Sequence, residues 1–443
     1  PHAPFRRQNG GVGLSRLRGM EVLRDILRPA TRAVRSIIGT NGLSDRLAVL
    51  EDALLTQARL NGTSPAAPAA AAAPAVESSE RSAPLSINLL LHQSRGAFLR
   101  AMPPGAQRLL SAGCAGLWYF EWIEQTYGRV PEHLGIEYYS PRPDGLPSNV
   151  TWIANTASDM SDVLDASCDL VFSGQNLEHL WPEEVSGFML EAARVLKPGG
   201  HLVMDSPNRH VTKLLNWSHS EHTIELTETE AQELARLAGF DVTVTRGIWL
   251  CHDPRGGEVL PFDPNIPHPD WSVPERLIAA HDRPRDSFIW WVEAVRSERA
   301  PDAAAVHALM SRLFRQHWPE RVQRLLAVPG RAIETDAEGD WVIAAPESQG
   351  AVLYGPYMPL RAGRYQVSWR LRLPQQADGV IAVCEVVARE ADGPLARREL
   401  RSGEDNPSLD FVLGEMTFGL EFRCLTMGAA GFSVLRGVEL REW

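Results

Sequence analysis

The sequence lacks features that mark several classes of protein. It has no apolar run of about 18 residues, the length that a membrane-spanning helix needs. Its N-terminus does not show the succession of charged, apolar and small residues of a secretory signal. The five cysteines lie far apart, without the CxxC spacing of zinc or redox sites. These absences favour a cytoplasmic protein whose cysteines are reduced packing residues.

An excess of positive charge is also missing. The chain has 44 Lys and Arg against 55 Asp and Glu, a net charge of −11. A dedicated nucleic-acid-binding protein needs concentrated basic residues to displace counterions from phosphates, so we expect no nucleic-acid partner. Residues 1–60 differ, with ten arginines and five acids. This arm is suited to contact an acidic partner or the inner face of a membrane.

The chain of 443 residues is long enough for two or three domains. In residues 43–60, leucines recur at alternating intervals of four and three, which is typical of a short coiled coil and hence of a homo-oligomer. A single amphipathic helix lying on its own protein fits the same spacing. Residues 61–84, rich in Pro and Ala, are predicted to be a linker.

Beyond the linker, three patterns follow one another. Residues 85–250 alternate short apolar runs with helical stretches, which predicts a parallel sheet with helices on both faces. Residues 251–334 are predicted to form a helical cap or extension, including "DSFIWWVEAVRSERA" and "HALMSRLFRQHW". Residues 335–443 contain short alternating strands at even spacing, which predicts an antiparallel β-sandwich.

The stretch "RLLSAGCAGLWYFEWI" resembles the start of a nucleotide-binding fold. Gly113 and Gly116 permit the sharp turn and close ligand approach that such a loop requires after its first strand. About 20 residues later, Glu137 follows a second predicted strand, where an acid can accept hydrogen bonds from ribose hydroxyls. Together the loop and the acid indicate an adenosine-containing cofactor.

A second block makes the indication more specific. Residues 168–208 combine "DLV", "LEH", a helix ending in "RVLKPGG" and a strand ending in "PN". In this order they resemble the class I S-adenosylmethionine-dependent methyltransferases, and the resemblance extends over residues 85–244. It implies a Rossmann-like α/β fold and S-adenosylmethionine as cofactor. Nicotinamide dehydrogenases fit less well, because the loop lacks their third glycine and "RVLKPGG" is not their signature.

The resemblance also implies roles for individual residues. The family's usual acid is replaced by Ser111, and its usual glycines by Ala115 and Leu117. A serine can still hydrogen-bond the loop but cannot pair with the charge of the cofactor's ammonium group. The residues expected near the cofactor are Gly113 and Ala115 at its amino-acid part, Glu137 at its ribose, Asp159 near its adenine, Gln175 and Asn176 along its methionine portion, and Arg95 at its carboxylate.

Methyl transfer to a hydroxyl is helped by a base that removes the proton. Histidine suits that task near neutral pH. His179, in "LEH", is the first candidate and His222, in "HSEHTIEL", the second. In a structural reading, the Glu and His of the "LEH" turn only hold the loop. A divalent metal held by Glu178, His179 and another acid is a further alternative, although no set of residues has decisive ligand spacing.

The C-terminal region bears on the substrate. The phrase "GPYMPLRAGRYQV" resembles sandwich modules that accompany bacterial polysaccharide enzymes. Its aromatic residues could stack on sugars, although alternating aromatics in a sandwich are usually core. The combination of parts resembles bacterial enzymes that methylate surface polysaccharides such as O-antigen. A small-molecule or lipid methyltransferase and a non-catalytic glycan-binding scaffold are the alternatives. The aromatic candidates are Trp341, Tyr354, Tyr357 and Trp369.

Overall fold

The structure is a computed structural model that describes residues 84–114, 116–219, 221–322, 325–388, 391–404 and 406–443. The predicted helical arm and coiled coil of residues 1–60 lie outside these ranges. So do all but the last residue of the predicted linker, and Ala115 in the predicted cofactor loop.

A seven-stranded sheet forms the centre of the first part of the chain, with the strand order β3-β2-β1-β4-β5-β7-β6. Strands β1 to β5 are parallel, and β7 runs antiparallel between β5 and β6. The carboxyl ends of the parallel strands therefore share one edge, where ligands of such sheets bind. The strands are β1 Arg108–Ala112, β2 Glu132–Ile136, β3 Val150–Ile153, β4 Cys168–Gly174, β5 Leu196–Pro207, β6 Phe240–Leu250 and β7 Ser287–Arg296.

Local sequence signals account for where several helices begin. The Ser86 side chain caps the first helix, and Thr227 and Glu230 form a capping box at the fifth. Pro182 opens the third helix, where a missing backbone N–H costs nothing. The helices are α1 Ile87–Arg100, α2 Leu117–Thr126, α3 Pro182–Val195, α4 Arg209–Leu214, α5 Glu228–Leu237, α6 Val273–Ala280 and α7 Ala303–Val322, with 3₁₀ turns at Leu177–His179 and Pro284–Asp286.

The prediction of a helix over "DSFIWWVEAVRSERA" was wrong, because Ser287–Arg296 is strand β7. Residues 288–292 are all apolar and buried, as befits a strand covered on both faces. Such a run shows neither a period of 2 nor one of 3.6, so periodicity does not distinguish a strand from a buried helix. The central sheet thus continues to residue 296. The helix predicted over "HALMSRLFRQHW" is present as part of α7.

The C-terminal part contains two antiparallel sheets, with the orders β16-β13-β18-β10-β9 and β15-β14-β17-β11-β8, and β12 also pairs with β17. Buried residues of both sheets form one core, the arrangement of a β-sandwich. The strands are β8 Leu326–Ala327, β9 Ile333–Asp336, β10 Gly339–Ala344, β11 Gly350–Tyr354, β12 Pro356–Leu360, β13 Gly363–Arg372, β14 Ala382–Val387, β15 Ala396–Leu400, β16 Ser408–Leu413, β17 Thr417–Thr426 and β18 Phe432–Glu442.

The sandwich packs directly against the first part of the chain. Trp181, which precedes α3, lies in the hydrophobic core of the sandwich and contacts the rings of Phe314 and Trp318 on α7. One residue into α3, Glu183 forms an ion pair with Arg361 of the sandwich at 3.2 Å. The start of α3 therefore anchors the sandwich beside the carboxyl edge of the central sheet.

Two expectations drawn from absences can be compared with the structure. All five cysteines lie in the described ranges, and each is a buried thiol, as expected of packing residues. Within the ranges that the structure describes, no helix combines the length and the apolar character that a bilayer crossing requires.

Candidate active site

Gly113 begins the turn that follows β1 at the carboxyl edge of the sheet. Its φ of 74° lies in the left-handed region that favours glycine. A Cβ placed on Gly113 would overlap the side-chain oxygen and carbon of Asn176, which follows β4. Asn176 is buried, and its Nδ2 donates to Ser173 Oγ at 3.2 Å. The structure thus brings together Gly113 and Asn176, two of the residues predicted for the cofactor site.

Glu137 lies immediately after β2, on the same edge, as predicted. Its Oε1 accepts hydrogen bonds from the backbone N–H groups of Tyr139 and Ser140, at 2.8 and 2.9 Å. These bonds hold the turn and fix the direction of the carboxylate. One oxygen of the side chain therefore closes the turn, and the contact of the carboxylate with a ribose stays a prediction.

Arg95 is a buried residue of α1 that forms an ion pair with Asp205 near the end of β5, with 2.9 Å between Nε and Oδ1. Its Nη2 has no hydrogen-bond partner in the described part of the chain. Gln175 Nε2 donates to the same Asp205 oxygen at 2.7 Å. Burial raises the pKa of Asp205, although the Arg95 charge opposes this shift. Arg95 and Gln175, predicted separately, thus meet at Asp205.

A second cluster lies beyond the end of β4 and contains both predicted base candidates. Glu178 and His179 belong to the 3₁₀ turn, and His222 lies on the loop before α5. One ligand atom of each of these three residues lies within 4.8 Å of the other two. Glu178 is 1% exposed, and burial raises the pKa of its carboxyl to about 8. We call these three residues the Glu178 cluster.

Further side chains surround the Glu178 cluster. The Nδ1 of His222 lies 2.8 Å from Glu225 Oε1, and Thr212 donates to the other Glu225 oxygen. The ring of His219 lies 4.6 Å from that of His222, and the ring of Trp217 lies 5.7 Å from it. Sequence reasoning missed Glu225 and Asp205. Asp205 has a signal, an acid near the carboxyl end of a predicted strand, whereas the contact of Glu225 depends on how its loop folds.

Comparison with known proteins agrees with this geometry. Residues 110–204 match the family described as "Methyltransferase domain". A curated relative, a probable S-adenosylmethionine-dependent methyltransferase of Mycolicibacterium smegmatis, is 38% identical over 150 residues. Residues 110–204 are therefore part of a methyltransferase domain. The match covers 32% of this chain, which spans 54% of the length of that relative.

Solved methyltransferases are also similar in structure to this domain. An S-adenosylmethionine-dependent methyltransferase from Archaeoglobus fulgidus is 17% identical, with a TM-score of 0.34, over 47% of this chain and 94% of the other. The Burkholderia thailandensis 1,6-didemethyltoxoflavin-N1-methyltransferase, solved with S-adenosylhomocysteine, is 16% identical, with a TM-score of 0.31, over 47% of this chain and 79% of the other.

The methyltransferase domain has groups that fit S-adenosylmethionine. Gly113 lets the Asn176 side chain lie against the backbone of the turn, where the cofactor's amino-acid part is expected, and Glu137 offers a carboxylate to ribose hydroxyls. The buried Arg95 Nη2 is a donor without a partner among the described residues, as a cofactor carboxylate requires. The residues present therefore fit the cofactor that the family uses.

The departure from the family at Ser111 is accommodated inside the methyltransferase domain. Ser111 is fully buried on β1, and its Oγ lies 2.8 Å from Nε2 of His133 on the neighbouring β2. Burial lowers the pKa of His133 to about 4, so the imidazole is neutral at pH 7. A neutral pair thus occupies the position of the usual acid, and the loop keeps its shape without a buried charge.

Asp159 differs from the other predicted cofactor residues because it is exposed, in the loop after β3. Its Oδ1 accepts a hydrogen bond from the Ser161 N–H at 3.0 Å, and hydrogen bonds to Ser161 lower the pKa of the carboxyl. The structure therefore gives Asp159 a turn-forming role, and its contact with adenine stays a prediction.

Two of the predicted sugar-stacking aromatics are buried. Trp369 is fully buried in the core of the sandwich, whereas Trp341, 3% exposed, lies outside that core under the Arg372 guanidinium, which is 3.6 Å from the ring centroid. Tyr354 and Tyr357 are half-buried. The prediction that Trp341 and Trp369 stack on sugars was therefore wrong, because the core between the two sheets encloses Trp369 and the Arg372 side chain covers the ring of Trp341.

Proposed function

We propose that the protein is an S-adenosylmethionine-dependent O-methyltransferase that acts on a sugar of a bacterial cell-surface polysaccharide such as O-antigen, including the end of a growing chain. The observation that carries the enzyme assignment is the convergence of Gly113, Glu137 and the Arg95 guanidinium at one edge of a methyltransferase domain. These three groups match the amino-acid part, the ribose and the carboxylate of the cofactor.

Transfer to oxygen requires loss of a proton near the reacting methyl group. When bound, S-adenosylmethionine supplies a methyl group on a positively charged sulfur, which keeps the C–S electron pair as the acceptor oxygen takes the carbon. The Glu178 cluster follows directly after Gln175 and Asn176, at the end of β4. It is therefore the nearest group of proton-accepting side chains along the chain, with His179 and His222 as its imidazoles.

A polar cavity supports a glycan acceptor. A space of about 810 Å³ lies between the loop at Asn216 and Ser218 and one sheet of the sandwich, where Ser368, Arg370 and Glu439 line it. These side chains offer donors and acceptors, as sugar hydroxyls require. The same loop continues to His219 and His222, so one loop lines both the cavity and the Glu178 cluster. This proximity supports an acceptor that extends from the cluster onto the sandwich.

The proposal includes a location at the cytoplasmic side of the inner membrane. The local excess of arginine in residues 1–60 supports contact with anionic lipid or an acidic assembly partner. The leucine spacing of residues 43–60 supports a homo-oligomer. Both are proposals for the full chain.

The test is transfer of labelled methyl groups from S-adenosylmethionine to purified O-antigen polysaccharides and to their component monosaccharides, with the full chain. We expect methylated polysaccharide, and at least a fivefold higher KM for it in Arg370→Ala. Arg364→Ala is the matched control, because Arg364 is also exposed on β13 but does not line the cavity. Equal activity on monosaccharides, unchanged in Arg370→Ala, would favour a small-molecule methyltransferase.

A non-catalytic glycan-binding scaffold is the second candidate, and the exchange of the usual acid for Ser111 favours it. This candidate predicts a folded protein that binds the polysaccharide and does not bind S-adenosylhomocysteine. Binding of the nucleoside product therefore separates the two functions without any need for the correct acceptor.

A further inference from the structure

We propose that Glu178, His179 and His222 bind one divalent first-row transition-metal cation at the acceptor side of the methyltransferase site. The proposal rests on the proposed function only in the role it gives the cation, which is to activate the acceptor hydroxyl. The geometry comes first, because one carboxylate oxygen and two imidazole nitrogens lie within 4.8 Å of one another. Ligands at about 2.1 Å from a tetrahedral cation lie about 3.4 Å apart, so small side-chain rotations complete the set.

The carboxylate of Glu178 supplies an independent observation. The residue is 1% exposed, and neither of its oxygens makes a well-formed hydrogen bond with the residues that the structure describes, the Ser206 hydroxyl lying near the carboxylate as a weak donor. A buried carboxylate so poorly supplied with donors is costly, and a bound cation is one of the few partners that offset the cost. One oxygen of this carboxylate lies within 4.8 Å of a ring nitrogen of each imidazole, so a cation there would have three ligand atoms close at hand.

The contacts of His222 resemble those that orient the imidazole of a histidine metal ligand. Its Nδ1 lies 2.8 Å from Glu225 Oε1, and Thr212 donates to the second oxygen of Glu225. A carboxylate that holds one ring nitrogen fixes the tautomer and leaves Nε2 as the ligand atom. Such second partners are a regular feature of histidine ligands.

The donor set indicates the class of cation and its effect. Two histidines and one carboxylate bind zinc in catalytic sites and ferrous iron in oxygenases, and both sites keep positions open for other ligands. An acceptor hydroxyl in an open position would lose its proton to water more readily, because the cation stabilises the alkoxide. In this account His179 and His222 are ligands, and the cation replaces a histidine as the means of deprotonation.

A second histidine cluster serves as the control. His210, His252 and Asp286 also bring their ligand atoms within 4.8 Å, but all three are half-buried. The carboxylate of Asp286 is already engaged, since its Oδ1 lies 2.7 Å from His252 Nδ1. This cluster therefore lacks the buried carboxylate, poorly supplied with donors, that distinguishes the Glu178 cluster.

The test uses the full chain, stripped with a chelator, dialysed and titrated with Zn²⁺ and separately with Mn²⁺ by calorimetry. We expect one equivalent of at least one of these cations to bind, at least tenfold more weakly in Glu178→Gln and in His222→Gln. His252→Gln is expected to bind as the wild type does. Glu225→Gln, which leaves all three ligands in place, is expected to weaken binding about 10- to 100-fold.

Each outcome bears on the proposal. Absence of Zn²⁺ and Mn²⁺ binding by the folded wild type would overturn it, as would unchanged binding in both Glu178→Gln and His222→Gln. Loss of the bound cation only in His252→Gln would overturn the proposal as well, because it would place the cation at the cluster of His210, His252 and Asp286. Circular dichroism checks the folding of each sample, and S-adenosylhomocysteine is titrated into the same samples to test the proposed function separately. Binding of the cation without this nucleoside would contradict the proposed function and leave the metal site standing.

Discussion

Arg95 of α1 and Asp205 of β5 form a buried ion pair, with 2.9 Å between Nε and Oδ1, beneath the cofactor edge of the methyltransferase domain. Removal of one partner leaves the other charge buried and uncompensated. We therefore predict that Arg95→Ala lowers the free energy of unfolding by about 3–5 kcal/mol, measured by urea denaturation. The double variant Arg95→Ala with Asp205→Ala should recover part of this loss. A change below about 1 kcal/mol in the single variant would contradict a structural role for the pair.

The turn at Gly113 gives a second prediction. In Gly113→Ala the new Cβ overlaps Asn176, and its φ of 74° disfavours any residue with a side chain. We expect binding of S-adenosylhomocysteine to weaken at least tenfold in calorimetry. Adding Asn176→Ala removes the overlap with Oδ1 and Cγ but neither the 2.9 Å approach to Cβ nor the backbone strain, so the double variant should bind more tightly than Gly113→Ala alone. Equal affinities of Gly113→Ala and the wild type would mean that this turn does not hold the cofactor.

The buried His133 makes stability depend on pH. Its pKa in the folded protein is about 4, below the ordinary value of 6.5, because burial disfavours the charged imidazole. Above pH 6.5 the residue is neutral in both states. As the pH falls from 6.5 to 4, only the unfolded chain takes up the proton, and the folded state loses roughly 3 kcal/mol.

The variant His133→Gln isolates this effect, because glutamine retains a hydrogen-bonding group near Ser111 and does not titrate. We expect its free energy of unfolding to fall less than that of the wild type between pH 6.5 and 4.5, in urea titrations at fixed pH. Parallel profiles for the two proteins would show that His133 does not take part.

The anchor between the two parts of the chain gives a fourth prediction. Trp181 is 5% exposed and packs in the sandwich core. Truncation of a buried tryptophan costs about 3–5 kcal/mol, so Trp181→Ala should destabilise the sandwich by this amount. Arg361→Ala, which removes half-exposed ion pairs with Glu183 and Glu442 and a cation–π contact with Trp181, should cost about 1–2 kcal/mol, less than the tryptophan truncation. Thermal unfolding followed by circular dichroism compares them, and equal losses would contradict the anchoring role of the tryptophan.

Much of the cofactor edge could be predicted because its signals are local. Gly113 is needed for one turn, and Glu137 follows one strand, so a few neighbouring residues in the sequence predict where each of the two lies. The capping box at Thr227 likewise predicts the start of α5. Short sequence patterns therefore predict both these secondary-structure elements and the residues at their ends.

The rest depends on contacts between distant parts of the chain. The apolar run in β7 has no period that distinguishes a strand from a helix. Its pairing between β5 and β6 is what makes this segment a strand. The sequence alone favours a position for Arg95 on the surface of a helix, because its contact with Asp205 forms only in the folded protein. Burial in the folded protein also excludes Trp341 and Trp369 as sugar-stacking residues. The alternation of residues in the sequence does not show whether these side chains are buried.

The central claim is that the altered loop after β1 still forms a working cofactor site. Calorimetric titration of the full chain with S-adenosylhomocysteine tests it most directly, with Glu137→Gln as the matched variant, because glutamine still accepts the turn's N–H bonds but offers a ribose one acceptor fewer. The account predicts saturable binding by the wild type at micromolar concentrations and at least tenfold weaker binding by the variant. Absence of binding by a folded wild-type sample, or equal affinity in Glu137→Gln, would contradict it.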